Sequence, residues 1–329
     1  MARGKSYKLK KGPKIFLMVL IALLILVPLA KKKIDEYLYK QTNEYALLQL
    51  GYKEDDVKII LDKLSDDEEK TLLTYDYNEF IPMFIKTKYF MYKNLDGYLS
   101  QVITQEDDFF KYHGTDGYDY DSIVGLVNTH ADREFYTDTY KTDFSKGYGI
   151  LCNKFYELGE YVPEDLVDVS IKYYYGSAKK VRSEVYEAFK EMWNDANQEG
   201  IYLIIDSAYR DYDSQVRVYK EKEDYRGIEY ADSIAARPGF SEHQTGLSLD
   251  IYSKDNTVSE TFKDSKAYAW LLENAHKYGF ILRYPEGKQK ITGFKYESWH
   301  YRYLGVDLAT KVYNEGITYD EYYAFYMED

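Results

Sequence analysis

The feature that most restricts this chain is a pair of short histidine-bearing stretches far apart in sequence. One is residues 237–250, Arg-Pro-Gly-Phe-Ser-Glu-His-Gln-Thr-Gly-Leu-Ser-Leu-Asp. The other is residues 297–303, Glu-Ser-Trp-His-Tyr-Arg-Tyr. Together they carry His243, Asp250, Glu297 and His300. Two imidazoles and a carboxylate make a three-ligand zinc site with its fourth position open to water, and a free glutamate beside that water has the chemistry of a general base. A fold that uses these groups together must bring both stretches to one point. Thr245-Gly246 suits a tight turn after His243, and residues 247–251 alternate as a strand does. That alternation sends Asp250 off one face, with Leu247, Leu249 and Ile251 packed behind. Glu297 and His300 differ by three positions, so on a regular strand they face opposite ways. A shared centre therefore requires Glu297 to lie in a loop or bulge entering the strand, with Trp299, Tyr301 and Tyr303 on the packed face. The chain has only five histidines, and single histidines are ordinarily core or surface residues. Residue types alone leave a metal centre and two ordinary histidines both open.

The pattern Ser241-x-His243-x-x-Gly246-x-x-x-Asp250, followed by Glu297-x-Trp299-His300, resembles the signature of the VanY-type D-alanyl-D-alanine carboxypeptidases. These belong to a wider group of zinc peptidases that includes lysostaphin and the hedgehog amino-terminal domain. Ser207-Ala208-Tyr209-Arg210, with Gln215 beyond it, resembles the family's substrate-binding element. The likeness runs roughly from Leu151 to Gly305. It implies an α+β fold in which a small antiparallel sheet carries the zinc and helices pack on one face. It implies Zn²⁺ held by His243, Asp250 and His300, with Glu297 as the base. Arg210 would be a fixed cation for a carboxylate or developing oxyanion, and Gln215 and Ser241 would contact the peptide. The implied substrate is the D-Ala-D-Ala end of the peptidoglycan stem peptide, with release of terminal D-Ala. Cleavage as an L,D-carboxypeptidase, a dipeptidase or an endopeptidase stays open, as does a non-catalytic zinc-containing wall sensor or binder, although an intact Glu297 argues against the last. Two positions depart from the pattern. Ser248 stands where alanine is expected, which would alter packing behind the site. Ser298 stands where proline is common, which would loosen a loop carrying Glu297. Arg283 and Arg302 read as surface or structural cations.

The first 33 residues hold nine Lys/Arg and no acid, so the rest of the chain carries −22 against a total of −13. A body that acidic repels phosphate backbones, and nucleic-acid binding is disfavoured. Within the basic segment, residues 15–30 are uncharged and apolar. At 1.5 Å per residue the run spans about 24 Å, short of a bilayer core of about 30 Å unless flanking lysines snorkel. Pro28 and three lysines directly after Ala30 fit a cleaved signal peptide poorly. The expectation is an uncleaved anchor with residues 1–14 cytoplasmic and the body extracellular. No cysteine follows the run, which excludes a lipoprotein. The single cysteine, Cys152, cannot form an intramolecular disulfide and reads as a core residue.

Residues 31–147 form an expected accessory region with helices at 44–51 and 55–64. A third opens at Ser65, which with Glu68 fits a capping box. Gly114 to Asp121 reads as loop, and His113 and His130 lack metal-ligand spacing. Residues 148–329 form the expected catalytic domain. Val181, Val185, Phe189, Met192 and Ala196 make one helical stripe, and Gly200 ends that helix. Residues 201–207 read as a buried strand, and Asp213 or Ser214 as the cap of the next helix. Ala267, Trp270, Leu271 and Ala275 stripe another helix. Residues 280–284 and 291–303 read as strands.

Overall fold

The structure is a computed structural model that describes residues 11–104 and 119–328. Residues 1–10 of the basic tail, His113 and most of the 114–121 stretch lie outside the described residues. The chain divides into two compact units, Met1–Leu99 and Ser100–Asp329.

The described part of the first unit is helical. Helix α1 (Lys11–Tyr39) holds the apolar run in its middle, with those side chains exposed. Its stretch Lys14–Tyr39 is long and apolar enough to cross a membrane, a property that signal sequences share. In α2 (Asn43–Leu50) the Thr42 hydroxyl accepts from the Tyr45 N–H, and Gly51 closes the helix at φ +112°, where glycine pays no side-chain penalty. Three acids open α3 (Glu54–Lys63), favoured by the helix dipole. The Ser65–Glu68 capping box starts α4 (Asp66–Leu72). Leu47, Val57, Ile60 and Leu72 from these helices join Ile81 and Ile85 of α5 (Ile81–Ile85) in one small core. Helix α6 (Leu95–Thr104) begins in this unit.

The second unit contains α7 (Tyr120–Asn128), α8 (Ser183–Gln198), α9 (Tyr212–Arg226), α10 (Lys266–Asn274), α11 (Val306–Glu315) and α12 (Tyr319–Tyr326). Its central sheet has four antiparallel strands, β1 (Leu203–Ser207), β2 (Ser248–Ser253), β3 (Phe280–Tyr284) and β4 (Glu297–Tyr303), in the order β1-β2-β4-β3. One face packs against the stripes of α8 and α10: Val185, Phe189, Met192 and Ala196 from the first, Ala267, Trp270 and Leu271 from the second. Leu203, Ile205, Leu249, Ile251, Phe280 and Tyr301 meet them from the sheet, and Cys152 is fully buried in the same core. Truncating a buried aromatic such as Phe189 to alanine in such a core costs about 3–5 kcal/mol.

Three details differ from the sequence reading. Helices are not confined to one face: Ile281 packs on the other side with Ala309, Val312 and Tyr319 of α11 and α12. The cap of α9 is Asp211, whose carboxylate accepts from the Ser214 N–H. The last strand starts at Glu297 because residues 289–292 form a helical turn, closed by Gly293 at φ +75°. Within the second unit, α7 packs against α12 and the 289–292 turn.

Candidate metal centre

The site is built on the sheet face opposite α8 and α10. Residues Glu242–Thr245 form a single 3-10 turn that ends at Gly246, φ +67°. A Cβ there would sit 2.9 Å from Arg182 Cγ and 3.1 Å from Leu166 Cδ2, so both the backbone angle and the close packing require glycine. The turn sets His243 with its Nδ1 2.8 Å from the Ala208 carbonyl. Nδ1–H therefore donates, and Nε2 is left as a lone pair, 3.4 Å from Asp250 Oδ2. Asp250, in the middle of β2, is paired across the ladder with His300 of β4. His300 Nδ1 lies 3.2 Å from Asp250 Oδ1 and 3.6 Å from Glu297 Oε2.

Glu297 reaches this point because the register between β3 and β4 shifts: Leu282 opposes Tyr301, but Tyr284 opposes Glu297. That is the bulge that the three-residue spacing demanded. Ser298 lies within the strand and is 1% exposed, so it belongs to the buried sheet and not to a loosened loop.

One potential ligand atom each from His243, Asp250 and His300 lies within 4.8 Å of the others. Asp250 Oδ1 is buried yet makes no hydrogen bond among the described residues. It faces a ring nitrogen that is also an acceptor whenever His300 carries its proton on Nε2. Two opposed acceptors are repulsive unless a cation lies among them. The donor set and its orphaned oxygen thus fit a metal ion.

Ionisation follows the same logic. Burial, aided by Arg210, lowers His243 to about 3, leaving it neutral and able to coordinate. Burial also opposes charge on His300, but Asp250 and Glu242 outweigh it and raise the imidazole to about 9. In the metal-free site a proton takes the cation's place. Asp250 stays below the usual carboxylate range: burial works against its charge, and His243 and His300 overcome it. Glu297 is pushed up to about 7, first by burial and then by its closeness to Asp250.

The Arg210 guanidinium donates to Gln215 Oε1 at 2.9 Å and Ser207 Oγ at 3.1 Å. Gln215 is 1% exposed, and its Nε2 donates to the Ala236 carbonyl at 2.7 Å, so both ends of its amide are engaged inside the protein. A cavity of about 210 Å³ opens over the centre, and all seven residues singled out from the sequence line it, with Lys222, Tyr284 and Trp299. A larger cavity of about 370 Å³ between β3 and α11 touches none of the seven.

Sequence reasoning passed over the layer beneath the site. Arg283 and Arg302 are not surface residues; both are 0% exposed. They donate to one oxygen of Glu242 at 2.8 and 2.7 Å. Arg283 also pairs bidentately with Asp320 of α12. Burial would raise the Glu242 carboxyl, but the two guanidiniums hold it well below its ordinary value. The available signal was an arginine inside the apolar strand Phe-Ile-Leu-Arg-Tyr, which has to find a buried partner.

The profile of the VanY family, D-alanyl-D-alanine carboxypeptidase, matches residues 178–306. The chain is 40% identical over 179 residues to YodJ of Bacillus subtilis (strain 168), covering 53% of this chain and 66% of that protein. It is 35% identical over 155 residues to a D-alanyl-D-alanine carboxypeptidase of Enterococcus faecalis, covering 44% of this chain and 56% of that one. The chain thus spans a little under two thirds of the first relative and just over half of the second. Among solved structures it is similar to the LdcB LD-carboxypeptidase, with TM-score 0.54 and 35% identity over 57% of this chain and 91% of that one.

Proposed function

The chain belongs to the VanY family of D-alanyl-D-alanine carboxypeptidases, and we propose that it is a zinc-dependent peptidase that removes the terminal D-alanine from peptidoglycan stem peptides. The observation that carries this reading is geometric: Glu297, a partly buried carboxylate with Oε2 3.6 Å from His300 Nδ1, lies beside three donors whose set is complete without it. His243, Asp250 and His300 would hold the ion. Zn²⁺ bound there would bring a coordinated water's pKa towards about 7 and polarise the scissile carbonyl. Glu297 takes the proton of the attacking water and returns it to the departing amine. Arg210, held by Gln215 and Ser207, is a preset cation in the cavity wall suited to the peptide's terminal carboxylate. Gln215 acts through Arg210, since its own amide is engaged, while Ser241 lines the cavity and meets the peptide. Helix α1 is the anchor, with the body outside the cell.

A second reading is favoured by the likeness to the LdcB LD-carboxypeptidase: removal of D-alanine from a tetrapeptide, across an L,D bond. The full chain, extracted from membranes and loaded with zinc, should be incubated with defined stem pentapeptide and tetrapeptide and the products weighed by mass spectrometry. Loss of one D-Ala from the pentapeptide alone is expected. Loss from the tetrapeptide transfers the conclusion to L,D cleavage, and release from neither leaves a wall binder. Recovery of the protein from the medium with an amino terminus near Lys31 would overturn the anchor.

A further inference from the structure

The two histidines of the centre are oriented by different chemistry. His243 is fixed by a neutral backbone carbonyl on its Nδ1, which turns Nε2 inward. His300 is turned the other way: its Nδ1 faces Asp250, and its Nε2 lies 3.4 Å from Glu242 Oε2. That contact falls short of full hydrogen-bond geometry, yet Nε2 is buried and has no other partner among the described residues. Glu242 is the carboxylate within ion-pair distance of it.

We infer that Glu242 is the positioning residue for His300, holding the proton on Nε2 so that Nδ1 is presented as the ligand atom, and that the Ser248 hydroxyl moderates this hold. The inference rests on the metal-peptidase reading above. The division of labour within the Glu242 carboxylate supports it. Oε1 takes both buried arginines, which lock the group in place. Oε2 is left for His300 and for Ser248 Oγ, 3.2 Å away. A carboxylate behind an imidazole raises its strength as a metal ligand and fixes its tautomer, and loss of such partners typically costs about 10–100-fold in metal affinity. Ser248 shares the same oxygen, so its hydroxyl draws on the lone pairs available to His300. This is the position where the family pattern leads one to expect alanine, which could make no such bond.

The test is made on the full chain. Zinc affinity is measured by competition with a chelator, and ring tautomers by nitrogen NMR of 15N-histidine-labelled, zinc-loaded protein. The wild type should show His300 protonated on Nε2 and His243 on Nδ1. Glu242→Gln should weaken zinc binding about 10–100-fold and blur the His300 tautomer while leaving the His243 signal unchanged. A merely structural role would leave both ring signatures as they are. Because Glu242→Gln strands two buried arginines and can fail to fold, Ser248→Ala is the deciding variant: it keeps every arginine contact and frees Oε2. It should bind zinc more tightly, by about 2–5-fold, below the range for removing a partner outright. Unchanged or weaker binding by Ser248→Ala, or the same tautomer for both histidines in the wild type, overturns the inference. Absence of zinc binding in the wild type would instead fail the metal-peptidase reading.

Discussion

Two buried clusters of charge sit side by side on one face of the sheet, and they are built to opposite rules. In the cluster of Arg283, Arg302, Glu242 and Asp320, each residue is at most 2% exposed, and the charges balance. Arg302 donates to the carbonyls of Tyr148 and Ile150 as well as to Glu242. Asp320 accepts from Asn153 in addition to Arg283. In the cluster of His243, Asp250, His300 and Glu297, an aspartate oxygen is buried without a hydrogen bond among the described residues, and burial pushes the Glu297 carboxyl up to about 7. Buried charge alone therefore does not distinguish the two clusters. Incomplete satisfaction does, since a closed network has nothing left to offer a ligand. Glu242 is the seam, with one oxygen in each cluster.

The sharpest way to break this contrast is Glu297→Gln. Turnover of stem peptide should fall about 10²–10⁴-fold with zinc content unchanged. Stability should move the other way. A carboxyl raised from 4.5 to about 7 in the folded state stabilises the protein only while protonated, fully below the unfolded value and not at all once pH has risen through 7. Thermal melting of the metal-free variant should therefore exceed that of the metal-free wild type at pH 8 and show little gain at pH 4.5; no gain at pH 8 would erase the distinction between the clusters.

The counterpart is Arg283→Met in the satisfied cluster. It leaves Asp320 and part of Glu242 uncompensated in the interior, which typically costs about 3–5 kcal/mol, read as the shift in urea midpoint. A midpoint within error of wild type would show that the arginine network is dispensable.

The smallest expected effect is a pH trend. His300, raised from 6.5 to about 9 by Asp250 and Glu242 against burial, lends stability that is complete below pH 6.5 and vanishes as pH rises through 9. His243, held down near 3, is neutral in both states above 6.5 and adds nothing in that window. The melting temperature of metal-free protein should fall from pH 7 to 9, and saturating zinc should remove most of that fall. A flat metal-free profile would mean that His300 gains no proton from its surroundings.

That His243, Asp250, Glu297 and His300 come together was legible in the sequence because their spacing contradicts regular structure in a specific way. Gly246 after His243 announces a left-handed turn, and a glutamate three positions before His300 announces a bulge. The strand at 280–284 and the stripes of α8 and α10 followed from periodicity. The arginine layer was not legible: Arg283, Glu242 and Asp320 are far apart in sequence, and no period links them. Gln215 was singled out by resemblance as a peptide contact; that its amide joins Arg210 to the Ala236 carbonyl depends on where the 235–241 loop folds back.

The register shift opposite Tyr284 also limits how this site can be moved or inherited. Had the glutamate stood two positions from the histidine, a regular strand would have placed both on one face, about 6.7 Å apart along it, and any sheet could host the motif. With a spacing of three, the motif written on β4 works only against a neighbour whose ladder slips at Leu282 and Tyr284. The transferable module is the strand pair with its mismatch. A recombination breakpoint between 284 and 297 would carry the glutamate and histidine into a new sheet without Leu282 and Tyr284, the partners against which β4 accommodates its extra residues.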